Sequence, residues 1–168
     1  MKLIISLLAI GTAMAATPTP PVTTDLKDAN GQSVGSASLS PDDNGVKIVL
    51  DVHGIPPGVH GIHIHEFGKC EGPKFTTAGG HLNPDHKEHG KLNPNGPHAG
   101  DMDNITVGAD GSAHVEIVAQ GVRYSDSEPN SIFHAGGSAL VIHAREDDMK
   151  TNPSGNSGDR IVCGVISQ

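Results

Sequence analysis

The sequence predicts an all-β domain, a sandwich or a barrel. Three observations point there. Several short segments carry apolar residues at alternate positions, the period of a strand. Glycine makes up 22 of the 168 residues, above the usual ~7%, and with 12 prolines it interrupts the chain about every ten residues. No stretch makes a convincing helix.

The first fifteen residues stand apart from that pattern. Lys2 is followed by the apolar run LIISLLAI and then by Ala13-Met14-Ala15, a charged start, a hydrophobic region and a small-residue cleavage site. Residues 1–15 are therefore expected to be a secretory signal peptide, and residues 16–168 one domain. The apolar run is too short to span a bilayer, and no later stretch could, so no membrane span is expected in the mature chain. ATPTPP then reads as an extended lead-in.

The strands follow in order: Val22–Lys27 and Ser33–Ser40 around an Asn30-Gly31 turn, then the segment KIVLDV after a turn at Asp42–Gly45. Val46, Ile48, Leu50 and Val52 share one face of that third strand, with Lys47 and Asp51 on the other. Residues 59–67, Asp103–Val107, Ala113–Val118, Ala139–His143 and Ile161–Ser167 complete a set of about eight. Three connections are long, at about 68–102, 119–138 and 144–160, and loops of that size in a compact domain are usually functional.

Charge and cysteine content narrow the function. Net charge is −8, and −9 once Lys2 is removed. An acidic chain of this kind argues against a nucleic-acid partner, which needs a basic patch. Export would place Cys70 and Cys163 in an oxidising compartment, where a disulfide persists, and two cysteines allow one intrachain pairing. It would close a loop of about ninety residues, worth about 4–5 kcal/mol in the chain-entropy account.

Eleven histidines are the strongest chemical signal. In GVHGIHIHEFG, alternation sets Ile62 and Ile64 on one face and His63 and His65 on the other, so the two imidazoles can chelate one metal. Ile62, Ile64 and Phe67 read as core strand. His60 shares the face of Ile62 and Ile64 and reads as a hydrogen-bonded core histidine. His143 ends the strand ALVIH, where a solvated polar residue is the simpler reading taken alone. The loop GGHLNPDHKEHGKLNPNGPHAGD supplies His81, His86, His89, His98 and Asp101. Three imidazoles with one carboxylate would make a closed tetrahedral zinc site, and zinc would order a loop of little apolar content. A loose His-rich metal-binding tract is the alternative.

Together GVHGIHIHEFG, GGHLNPDHKEHG, GPHAGD, VIHAREDD and DRIVCGV resemble the copper-zinc superoxide dismutases, of bacterial periplasmic type. The likeness runs in order from about residue 20 to the end, with spacings of eight from His81 to His89, nine to His98 and three to Asp101. It implies an eight-stranded Greek-key β-barrel (an immunoglobulin-like sandwich) with long metal-binding and electrostatic loops. It also implies one copper on His63, His65, His81 and His143, and one zinc on His81, His89, His98 and Asp101, with His81 shared.

The same resemblance implies dismutation of superoxide to dioxygen and hydrogen peroxide by redox-cycling copper, an antioxidant defence in the periplasm or secreted medium. Arg160 would hold the superoxide anion. Asp147 would link His63 with His89, while His81 would carry a proton. His86 stands off the matched spacing and is expected to be spare. His53, His114 and His134 read as structural or surface residues.

Some features stay open. An acidic protein that takes an anion needs a local positive field, for which Lys69, Lys74 and Lys150 are candidates. Association as a homodimer is neither required nor excluded by the sequence. The competing functions are a non-enzymatic copper or zinc binder on the same scaffold and a hydrolytic zinc enzyme. The latter needs an open zinc position, which three histidines and Asp101 do not leave.

Overall fold

A computed structural model describes residues 19–168. The expected signal peptide, residues 1–15, lies outside the described residues. Nine strands follow: β1 (Val22–Asp28), β2 (Ser33–Asp42), β3 (Gly45–Val52), β4 (Gly58–His60), β5 (Ile62–His65), β6 (Ile105–Val107), β7 (Ala113–Ala119), β8 (Ser138–His143) and β9 (Arg160–Ile166). The only helical element among the described residues is a 3₁₀ turn at Thr76–Ala78.

The strands form an antiparallel sheet in the order β5-β8-β9-β1-β2-β3-β7 and a smaller pair, β4-β6. β4 continues into β5 through Gly61. β6 continues into β7 through a tight turn in which the Gly108 N–H donates to the Ser112 carbonyl at 2.9 Å. These connections join the small pair to both ends of the large sheet, which curls into a barrel. On the side away from β2, the sheet neighbour of β3 is β7 and not the next strand in the chain, a Greek-key crossover.

The turns are held by their own side chains. Asp28 Oδ1 accepts from the N–H groups of Asn30 and Gln32 beyond β1, both at 2.9 Å. Asp42 Oδ1 accepts from the Asn44 N–H between β2 and β3.

Two expectations need correcting. Residues 59–67 read as a single strand, but Gly61 splits them. Its N–H donates to the Arg145 carbonyl and its own carbonyl accepts from the His143 N–H, both at 2.8 Å, so the end of β8 and the loop after it take its backbone groups. A Cβ there would lie 3.0 Å from the Ser157 Cβ and 3.2 Å from that of Asp147. β4 and β5 thus count as one bent strand of an eight-stranded barrel. Phe67 is likewise not core: the chain leaves the sheet after His65, and Phe67 is 44% exposed.

Alternation fills the barrel. Val46, Ile48, Leu50 and Val52 of β3 all point inward, against Leu26, Leu39, Ile62, Ile64, Leu140 and Ile142. Ile62 faces Ile142 and Ile64 faces Leu140 across the β5–β8 ladder. Each such side chain contributes about 1.5–3 kcal/mol by leaving water. Truncating a central one, Leu50→Ala, is expected to cost about 2–5 kcal/mol.

β8 is buried on both faces, which explains the near-continuous apolar run SALVIH. Its outer face carries a second apolar cluster of Ala139, Val141, Cys163, Phe75 and Ala78. The last two belong to the long loop after β5, so this cluster and the Cys70–Cys163 disulfide clamp that loop to the barrel.

Candidate metal centre

The loop between β5 and β6 returns to the free edge of β5. The Ile64 N–H donates to the Gly100 carbonyl at 2.9 Å, and the Leu82 N–H donates to the Ile64 carbonyl at 2.8 Å. Single bridges then pair His65 with His81 and His63 with Asp101. Gly100 is required at this approach, since a Cβ would strike the Ile64 carbonyl oxygen. The edge of β5 thereby lines up histidines from the strand with ligand-type residues from the loop.

His63, His65, His81 and His143 form one buried group, with one nitrogen of each within 4.8 Å of the others. The hydrogen bonds identify which nitrogens. His63 Nε2 meets Asp147 Oδ2 at 2.7 Å, and His65 Nδ1 meets the Gly79 carbonyl at 3.1 Å. His81 Nδ1 meets Asp101 Oδ1 at 2.7 Å, and His143 Nδ1 meets the Gly158 carbonyl at 3.1 Å. The opposite atoms, His63 Nδ1 and the Nε2 of His65, His81 and His143, are buried without any hydrogen-bond partner among the described residues. Oxygens that only accept hold the proton on the bonded nitrogen, so each ring presents a lone pair to one place.

Electrostatics favour the same neutral state. Burial disfavours the cation and lowers His63 to about 4, against the help of Asp147. It lowers His143 to about 4 and His81 to about 3, the neighbouring imidazoles adding to the effect, and holds His65 well below its ordinary value. Near neutral pH all four are neutral donors.

The second group is His81, His89, His98 and Asp101. Three Nδ1 atoms converge on one carboxylate oxygen, Asp101 Oδ1: His81 at 2.7 Å, His89 at 3.1 Å and His98 at 3.3 Å. Asp101 Oδ2 accepts from the N–H groups of Gly90 and His98. Burial alone would raise the Asp101 carboxyl, but these imidazoles hold it far below the carboxylate range. Three imidazole nitrogens and one oxygen at a single point suit zinc, and the four nitrogens of the first group suit copper. His81 belongs to both groups, Nε2 to one and Nδ1 to the other.

Asp147 joins the two clusters from behind, with Oδ2 on His63 Nε2 and Oδ1 on His89 Nε2 at 3.0 Å. Burial opposes its ionisation, but the two imidazoles and the Met149 N–H lower it well below its usual value. His89 then has a carboxylate on each ring nitrogen. Burial works against its cation, yet Asp101 and Asp147 together raise it to about 9.

Arg160 starts β9, its Nη1 donating to the Phe75 carbonyl at 2.7 Å and its Nη2 to the Gly79 carbonyl at 2.6 Å. A cavity of about 500 Å³ opens over the first cluster, lined by Glu66, His81, His86, His143, Ser154 and Arg160 among others. A larger cleft of about 610 Å³ shares Arg160 but holds none of the histidines, so the smaller cavity is the one that reaches the clusters. His60 is a core histidine, its ring nitrogens on the His143 and Pro56 carbonyls at 2.7 and 2.8 Å. His86, exposed at the cavity rim, belongs to neither cluster.

Sequence reasoning missed three supports. Asn104 holds the Asp147 backbone, the Asn152 carboxamide oxygen accepts from the His89 N–H at 2.6 Å, and Glu66 Oε1 accepts from the Gly80 N–H at 2.9 Å. Each is a side chain bonded to a distant backbone group, which leaves no trace in spacing or periodicity.

A β-barrel with two buried, histidine-rich clusters that share one imidazole defines a dinuclear metalloprotein. The model of the copper/zinc superoxide dismutase (SODC) family matches residues 33–166, and the chain belongs to that family. "Superoxide dismutase [Cu-Zn] 1" of Aquifex aeolicus (strain VF5) is 46% identical over 84% of this chain and 85% of its own length. "Superoxide dismutase-like protein YojM" of Bacillus subtilis (strain 168) is 44% identical over 84% and 73%.

Among solved structures, a superoxide dismutase-like protein from Bacillus subtilis matches with a TM-score of 0.84 at 43% identity, covering 86% of this chain and 97% of that one. The Cu/Zn enzyme of Brucella abortus matches at 0.72 and 28% identity, covering 88% and 99%. The activity is superoxide dismutation, and the family's cofactors are one copper and one zinc per subunit.

Proposed function

We propose that copper is held by His63 Nδ1 and by the Nε2 atoms of His65, His81 and His143. Zinc is held by the Nδ1 atoms of His81, His89 and His98 and by Asp101 Oδ1. The observation that carries this assignment is the set of four buried, unpartnered nitrogens, each fixed by a bond on the far side of its ring. Bound there, copper supplies the one-electron couple that oxidises one superoxide and reduces the next, and zinc supplies fixed, redox-inert charge beside His81.

The chain's own residues do the rest. Arg160 binds the superoxide anion: two of its five N–H groups are committed to the Phe75 and Gly79 carbonyls, which leaves donors for a small anion in the cavity it lines. His81 Nε2, whenever it is not a metal ligand, would hold a proton and give it up when peroxide forms. Asp147 orients His63 and His89 together, so the two metal sites share one frame.

The protein acts outside the cytoplasm, in a periplasm or secreted, where residues 1–15 have served as its signal. Support comes from the Cys70–Cys163 disulfide and from the likeness to an extracellular enzyme of Brugia pahangi at 35% identity. N-terminal sequencing of exported protein checks this, with a start near Ala16 expected. Sedimentation of the holoenzyme decides between a monomer and a homodimer. The metal assignment is tested by metal content and superoxide consumption of wild type and His143→Ala. Loss of copper-dependent turnover with zinc retained is expected. Stoichiometric copper without copper-dependent dismutation in the wild type would overturn the reading.

A further inference from the structure

One peptide group, Gly79–Gly80, is gripped at both ends. Its carbonyl, that of Gly79, accepts from Arg160 Nη2 at 2.6 Å and from His65 Nδ1 at 3.1 Å. Its N–H, that of Gly80, donates to Glu66 Oε1 at 2.9 Å. A carboxylate at the donor end and a guanidinium at the acceptor end polarise the peptide in the same sense, and hydrogen bonds so chained strengthen one another. Gly79 sits at φ +74°, and a Cβ there would lie 2.5 Å from Phe67 Cδ2 and 2.6 Å from Glu66 Oε1. Glu66 also lines the cavity with His81, His143 and Arg160.

We infer that Glu66 is a positioning residue for anion binding, acting through the Gly79–Gly80 peptide on Arg160 and on the copper-ligand face of His65. This rests on Arg160 being the anion site proposed above. A carboxylate beside an anion channel would by charge alone weaken binding, so the inferred role and a bystander charge predict opposite results.

The probe is azide, titrated optically into copper- and zinc-loaded wild type, Glu66→Gln, Glu66→Ala and Arg160→Gln, alongside hydrogen exchange at the Gly80 amide by NMR. Glu66→Gln keeps an oxygen for the Gly80 N–H and should bind azide within about twofold of wild type, on the tighter side because a charge is gone. Glu66→Ala should weaken azide about fivefold, as expected for losing one charge-assisted bond from the chain, and Gly80 should lose protection. Azide binding in Glu66→Ala as tight as in Glu66→Gln, or undiminished Gly80 protection, overturns the inference. Undiminished azide affinity in Arg160→Gln instead overturns the assignment of Arg160, and the inference with it.

Discussion

Asn104 and Asp147 meet through a two-way amide pair. Asn104 Nδ2 donates to the Asp147 carbonyl and the Asp147 N–H donates to Asn104 Oδ1, each at 2.9 Å. Asn104 stands just before β6 and Asp147 in the loop after β8, so the pair fixes the carboxylate that spans His63 and His89. Asn104→Ala leaves a buried N–H and carbonyl without partners, expected to cost about 1–3 kcal/mol of stability. Removing the carboxylate itself, Asp147→Ala, should weaken zinc by about 10–100-fold, with Asn104→Ala at the lower end. Chelator competition measures both. Zinc retention equal to wild type in the two variants would deny Asp147 its orienting role.

The two clusters proposed as metal sites have a sequence signature because strand alternation separates His63 and His65 from the core, and because four ligand-type residues recur in one short loop. His60 was legible for the same reason, being in phase with Ile62 and Ile64. The break at Gly61 was not, since GVHGIHIH alternates through it and only the packing of Ser157 and Asp147 against Gly61 shows the bend. Asn104 and Glu66 were invisible because their partners are backbone groups 43 and 14 residues away. A backbone amide has no sequence identity to read.

Metal-free protein should be most stable near pH 6.5. Below that, the unfolded chain protonates histidines that burial keeps neutral in the fold, His63 and His143 to about 4 and His81 to about 3, so stability falls with pH. Above it, His89 alone reverses the sign. Raised to about 9 in the fold, it contributes stability fully present below its ordinary 6.5 and lost as pH rises through 9. Urea midpoints of the metal-free protein across this range check the dome. His89→Gln should remove the alkaline limb, and a midpoint rising steadily to pH 9 in the wild type would sink the account.

Steering of the anion should depend on Lys74 more than on Lys69 or Lys150. All three are exposed, and none lines the cavity over the histidines. Lys74 lines the neighbouring cleft that shares Arg160, whereas Lys69 lies in the cleft beside the disulfide. Lys74→Gln is expected to lower kcat/KM about twofold at low ionic strength and to flatten its salt dependence, because exposed charges act over a Debye length of about 10 Å at 0.1 M salt. No effect from any of the three substitutions would leave Arg160 and the metals as the whole attraction.

Reduction of Cys70–Cys163 should loosen the metal centre as well as the fold. The bond joins residues 93 apart and ties the loop after β5 to β9. That loop carries Phe75 and Gly79, whose carbonyls hold Arg160, and it leads directly into His81. Phe75 and Ala78 pack on Ala139, Val141 and Cys163, so apolar contact keeps part of the loop in place after the bond is cut. The expected result is a stability loss of about 2–5 kcal/mol, with weaker copper retention and weaker azide binding. Metal competition and azide titration on oxidised and reduced protein, thiols blocked after reduction, measure this. Equal affinities would show that the apolar cluster alone positions the loop.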